Sequence, residues 1–138
     1  MGFCSLADTE TLGREERIAL VQRYFAAVDA EDLGAVLATL TEDCVFTVET
    51  HQVQLKGHTA IGEMLERLWR GHRAVKHHAF HFVSDDMGQR IAAQFQVENT
   101  ELDGSITRKS NCNFFDLRGG RFASVAVYMA GPNTLNTD

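Results

Sequence analysis

Within residues 21–48, VQRYFAAVDAEDLGAVLATLTEDCVFTV, the apolar side chains change from a helical to an alternating period, and that change constrains the fold more than any other feature of the chain. Ile18, Val21, Phe25 and Val28 recur at the spacing that gathers side chains on one face of a helix, here residues 14–30, and Tyr24 rides the edge of that stripe. A phenol is thereby carried toward the interior. Leu33, Val36, Leu37 and Leu40 form the face of a second short helix, with Asp32 placed to accept free backbone N–H groups at its start. Cys44, Phe46 and Val48 then alternate with Val45, Thr47 and Glu49, the period of a strand.

The remaining sequence supplies one more helix and a sheet. Residues 50–57 read as a loop with some strand character, after which Thr59 is placed to cap a third helix that buries Ile61, Met64, Leu65 and Leu68 and carries Trp69 at its flank. Residues 72–75 read as a polar break. Strands are expected over 76–84, 90–101, 106–117 and 121–130, with Asp103-Gly104 and Gly119-Gly120 as the tight turns between the last three. Helices first and an antiparallel meander second predict an α+β fold, with helices covering the concave face of a bent sheet. One domain is expected over residues 14–131, between a lead (1–13) and a tail (132–138). Ile91, Ala93, Phe95 and Val97 alternate with Ala92, Gln94, Gln96 and Glu98, leaving a wetter outer face suited to packing against a second copy. A homodimer is the expected assembly.

With 138 residues, 44% of them hydrophobic and 23% charged, the chain has the material for one soluble domain and a pocket. A net charge of -6 leaves no basic face for nucleic acid phosphates or an anionic membrane, and no run is long and apolar enough to span a bilayer. Cys4, Cys44 and Cys112 are odd in number and widely spaced, which argues against a disulfide framework or zinc ribbon and suits a reducing cytoplasm. The N-terminus has no charged-then-apolar leader, and Leu6 stands where myristoylation needs Ser or Thr.

The run VQRYFAAVDAEDLGAVLATLTEDCVF, the GHTAI entry to the third helix and the ending GGRFASVAVY resemble the nuclear transport factor 2-like superfamily, above all ketosteroid isomerases and SnoaL-like polyketide-cyclase relatives. The resemblance implies a cone-shaped barrel of cystatin-like type and one apolar pocket for a small hydrophobic molecule. It implies a dimer, with no metal and no cofactor. In ketosteroid isomerases a helix tyrosine and a protonated late-strand aspartate hold a dienolate oxygen while a first-strand aspartate moves the proton. Carried onto this chain, Tyr24 matches the tyrosine, Asn113 stands at the late-strand acid and Val48 at the base. Asn113 can still donate through its amide, but valine accepts no proton. The acid that cyclase relatives carry two residues beyond the last-strand tyrosine is replaced here by Ala130, after Tyr128 and Met129. Phe25, Phe46, Val48, Trp69, Phe80 and Phe115 are the expected pocket lining.

The missing bases shift attention to the six histidines, of which His72, His77, His78 and His81 crowd the entry and body of one strand. Regular alternation puts His77 and His81 on one face and His78 on the other with Phe80 and Phe82, so His78 is the expected inward base. The same alternation would let His77, His81 and a carboxylate hold zinc, an option the metal-free resemblance disfavours. Three readings remain open: an isomerase or lyase acting on an apolar carbonyl or enol compound through Tyr24, Asn113 and a histidine; a non-catalytic pocket for a hydrophobic metabolite; and a protein-interaction domain.

Overall fold

The computed structural model describes residues 11–85 and 89–135. Cys4, most of the expected lead and the end of the expected tail fall outside those residues. The order is α1 (Arg14–Asp29), α2 (Leu33–Ala38), β1 (Leu40–Val48), a 3₁₀ turn (Glu49–His51), β2 (Val53–Lys56), α3 (His58–Arg70), β3 (His72–Ser84), β4 (Arg90–Glu101), β5 (Ile106–Arg118) and β6 (Arg121–Tyr128). The strands form one curved, unclosed sheet in the order β2-β1-β6-β5-β4-β3. All neighbours run antiparallel except β1 and β6. The expected α+β, cone-like architecture with three N-terminal helices is the one found.

Local chemistry explains the boundaries. The Glu16 carboxylate reaches back to the Gly13 N–H at 2.9 Å and closes the start of α1, while Asp32 Oδ1 accepts the Ala35 N–H at 3.1 Å and starts α2. Helix α3 begins one residue before the expected Thr59 cap. Its entry turn requires φ +89° at Gly57, whose N–H bonds the Cys44 carbonyl at 2.9 Å. Gly119 and Gly120, at φ +61° and +78°, make the two-residue turn between β5 and β6.

The concave face holds the core. From α1 come Leu20, Val21, Tyr24, Phe25 and Val28; from α3, Ile61, Met64, Leu65 and Leu68; from β4, the expected Ile91, Ala93, Phe95 and Val97. Fully burying each large aliphatic or Phe side chain contributes roughly 1.5–3 kcal/mol, enough to hold the helices on the sheet. The expected polar break at residues 72–75 is instead the start of β3, where Val75 turns inward and His72 Nδ1 meets the Leu68 carbonyl at 2.8 Å.

The register of β3 against β4 shifts twice, between His72 and Ala74 and again between His78 and His81. His78 pairs with Gln96 and His81 with Gln94, so Ala79 and Phe80 together oppose Phe95 as a β-bulge, with Ala79 at φ +58°. The extra residue reverses the faces beyond it. Val75 and His77 point inward before the bulge, and Phe80 and Phe82 after it.

Candidate functional site

At the end of the concave face away from β6's first residues, a cavity opens between α1, α3, β3, β4, β5 and the C-terminal segment. Its walls are Tyr24, Phe25 and Val28 of α1, Phe46, Leu65, Leu68, Val75, His77, Phe95 and Val97, the amides of Asn99, Asn111 and Asn113, and Val127, Met129, Thr134 and Leu135. About 50 Å³ is open to the centre of a water-sized sphere. A single water needs ~10–15 Å³ on such a measure, so there is space for a few waters or a small polar group.

Tyr24 enters from the middle of α1, buried edge-on against Phe25 at 4.9 Å and Phe115 at 5.7 Å. Its hydroxyl bonds no other described residue. Burial pushes its pKa well above the usual phenol value, with Cys44 nearby adding to the shift, so the phenol remains a neutral donor. Asn113 faces the same cavity from β5 with its carbonyl oxygen buried and unpartnered, while Asn111 Oδ1 accepts the Ala130 N–H at 3.1 Å. Asn99, the next inward position of β4 after Val97, is 1% exposed with neither amide atom partnered.

The inward imidazole is His77. Its backbone N–H donates to Asp29 Oδ2 at 2.9 Å, its ring Nδ1 lies 2.5 Å from Asp29 Oδ1, and its side chain is 10% exposed. Phe25 and Phe95 flank the ring at 4.7 and 5.4 Å. Asp29 is the last residue of α1, where a carboxylate meets the negative end of the helix at a typical cost of 0.3–1 kcal/mol; two hydrogen bonds to His77 offset that placement. The carboxylate fixes the proton on Nδ1, leaving Nε2, which bonds no described residue, as an acceptor at the cavity.

His78 is corrected from its expected inward position. It lies on the outer face with 43% of its side chain exposed, 3.9 Å from Glu98, because the bulge at Ala79 follows it and Val75 and His77 hold the inner positions before that bulge. The same bulge leaves His81 exposed on the opposite face from His77, which removes the shared face that a zinc pair would need.

Of the expected lining, Phe25 and Phe46 border the cavity; Val48, Trp69, Phe80 and Phe115 do not. Phe115 is sealed against Phe122 at 4.5 Å, and Phe80 sits behind Phe25 and Phe95 at 5.3 and 5.8 Å. Val48 is fully buried in the β1–β6 region, and Trp69 uses its indole N–H to satisfy the Val28 carbonyl at 3.0 Å, tying α3 to α1. The phenylalanine cluster fills the deep end and leaves the opening toward the asparagines.

Asn99, Asn111 and Asp29 were absent from the expected set although simple counting reaches them. Asn99 and Asn111 continue the inward alternation of Val97 and Asn113, and Asp29 lies four residues after Phe25 on the same helix face.

The SnoaL-like domain model matches residues 21–125. A provisionally named polyketide cyclase of Xanthomonas campestris pv. campestris is 25% identical with a TM-score of 0.76, over 83% of this chain and 90% of that one. One of Pseudomonas putida KT2440, named in the same way, is 25% identical with a TM-score of 0.75, over 81% and 90%. An NTF2-like protein of unknown function from Exiguobacterium sp. 255-15, 18% identical, shares the fold with a TM-score of 0.70 over 82% and 99%. No curated protein matches the chain.

Proposed function

The chain belongs to the SnoaL-like domain family, and from that premise we propose that it is a small-molecule enzyme of isomerase or cyclase type that moves a proton on a carbonyl or enol compound, with His77 as the base. The observation that carries this reading is the Asp29–His77 pair at 2.5 Å with Nε2 free at an apolar cavity.

In the proposed reaction, the Tyr24 hydroxyl and the Asn113 amide N–H donate to the substrate carbonyl oxygen. His77 Nε2 removes a proton from the carbon next to it, and the C–H electron pair moves into the carbonyl to give an enolate. Asp29 stabilises the imidazolium so formed. The proton returns at the γ-carbon of a β,γ-unsaturated substrate, or the enolate carbon attacks a second carbonyl of the same molecule to close a ring, and the alkoxide so formed takes the proton back from His77. One preorganised donor to the oxyanion contributes about 3 kcal/mol, and a positioned base about 10²- to 10⁴-fold. A ring compound needs more space than the cavity offers, and Thr134 and Leu135, which belong to no helix or strand, are the walls with most room to give.

Hydrogen–deuterium exchange at the α-carbon of cyclopentanone or 3-cyclopentenone in D₂O, followed by NMR, tests the proposal without knowledge of the natural substrate. Wild type should accelerate exchange, His77→Ala should abolish the acceleration, and Asp29→Asn should lower it about 10²-fold with the fold intact. Acceleration that survives His77→Ala would remove His77 as the base. Binding without exchange in wild type would favour the metabolite-binding module.

A further inference from the structure

Asn99 has no part in the proposed proton transfer, yet it is the most exacting polar group in the cavity. It is 1% exposed, it borders the cavity, and both its Nδ2 and Oδ1 are unpartnered. A buried amide that forms no hydrogen bond is costly to keep, so an occupant able to satisfy both atoms is strongly selected. Because both atoms are unpartnered, exchanging O and N within the amide leaves the demand unchanged. It asks for one acceptor and one donor side by side.

We propose that Asn99 is a specificity-determining residue that reads a cis-amide edge, O=C–N–H, so that the carbonyl compound taken up by this site is a lactam or a primary carboxamide. The inference rests on the carbonyl site proposed above and narrows its substrate class.

The alternatives fail on chemistry. A plain ketone or ester offers acceptors only and leaves Asn99 Oδ1 without a donor. A carboxylate presents two acceptors and sets one of them against that oxygen. An enolised 1,3-diketone uses its hydroxyl proton internally, and the hydroxyl and carbonyl of an α-hydroxy ketone lie one bond further apart than the two atoms of a carboxamide. A cis-amide edge meets the Asn99 amide with two parallel hydrogen bonds. Asn113 Oδ1, a second buried acceptor with no donor, adds to the case for an occupant that brings N–H groups.

The test compares 2-pyrrolidinone and propionamide with cyclopentanone, which matches the lactam in size but has no donor, by NMR titration of wild type and Asn99→Leu. Expected is a preference of about tenfold or more for at least one amide over the ketone in wild type, falling below about threefold in Asn99→Leu. Equal affinities in wild type, no measurable amide binding, or a preference retained in Asn99→Leu would each overturn the inference. If Asn99→Leu does not fold, Asn99→Ala is read instead, since it removes the same acceptor and donor with a smaller side chain. The outcomes separate the two proposals. An amide preference without His77-dependent exchange sinks only the catalytic reading, and exchange without an amide preference sinks only this one.

Discussion

Val48 pairs with Val53 on one side and Val127 on the other and is fully buried, so the position that the isomerase resemblance assigns to a base is a packed core site. Val48→Asp should therefore place an unpaired carboxylate in the core, lower stability by roughly 3 kcal/mol or more, and confer no activity on a β,γ-unsaturated ketone. Urea denaturation beside the activity assay checks both halves. Cys44, on the same strand, is held protonated: burial pushes its thiol from 9.0 up to about 12, with Asp43 adding to the shift. The unfolded chain loses this proton near pH 9, so between about pH 9 and 12 the unfolded state binds fewer protons than the native one and stability falls as pH rises. The slope approaches 1.4 kcal/mol per pH unit for one such group, and Tyr24, whose pKa is also raised, adds to it above pH 10. Denaturant midpoints from pH 7 to 10.5 should show the decline in wild type, and Cys44→Ala should remove the part that begins near pH 9.

At the scale of elements, β3 is where reading the sequence and reading the structure diverge. Regular alternation is legible in β4, since every second residue from Ile91 to Val97 is apolar and the hairpin glycines mark its neighbours. In HHAFHF nothing marks a bulge, because the residue at φ +58° is Ala79 and the glycine that usually signals such a position is absent. The one-residue slip therefore goes unseen, and the imidazole chosen by alternation is His78 instead of His77. The Asp29–His77 pair spans 48 positions and joins a helix end to a strand, a proximity that local periodicity cannot reveal. Ala79→Gly should relieve left-handed strain of about 1–2 kcal/mol, less the roughly 0.4–1 kcal/mol that glycine loses through the freer unfolded chain, and so stabilise slightly. Deleting Ala79 should be tolerated, since Phe80 alone then opposes Phe95 and Val75, His77, Phe80 and Phe82 all keep their inward places in an unbroken alternation. Thermal melts in which neither variant falls far below wild type check the account of the bulge, and a collapse of the deletion variant would overturn it.

For the whole molecule, the concave face is committed to the core and the cavity, which leaves the convex face to account for. Among the described residues no helix is long and apolar enough to cross a membrane. Phe114 and Tyr128 meet edge-on at 5.9 Å on the convex face, the Arg90 guanidinium lies 5.1 Å from the Phe114 ring centre, and Gln96 donates to Ser110 at 3.3 Å. Tyr128 and Val83 remain exposed there. Aromatic and Arg side chains amid hydrogen-bonding polar groups are the composition favoured at the centre of a protein interface, and a two-fold axis through the sheet would bring this patch against the same patch of a second copy. We therefore expect a homodimer joined through this face. Light scattering at micromolar concentration should return twice the chain mass, and Phe114→Glu, which places a carboxylate within that face, should return the chain mass while leaving the thermal unfolding of the protomer cooperative. Because the cavity opens on the other side of the sheet, the dissociated variant should keep its exchange activity. A wild type that scatters as a monomer would overturn the dimer, and loss of exchange in the Phe114→Glu monomer would show that the partner helps to hold β5, and with it Asn111 and Asn113, in place.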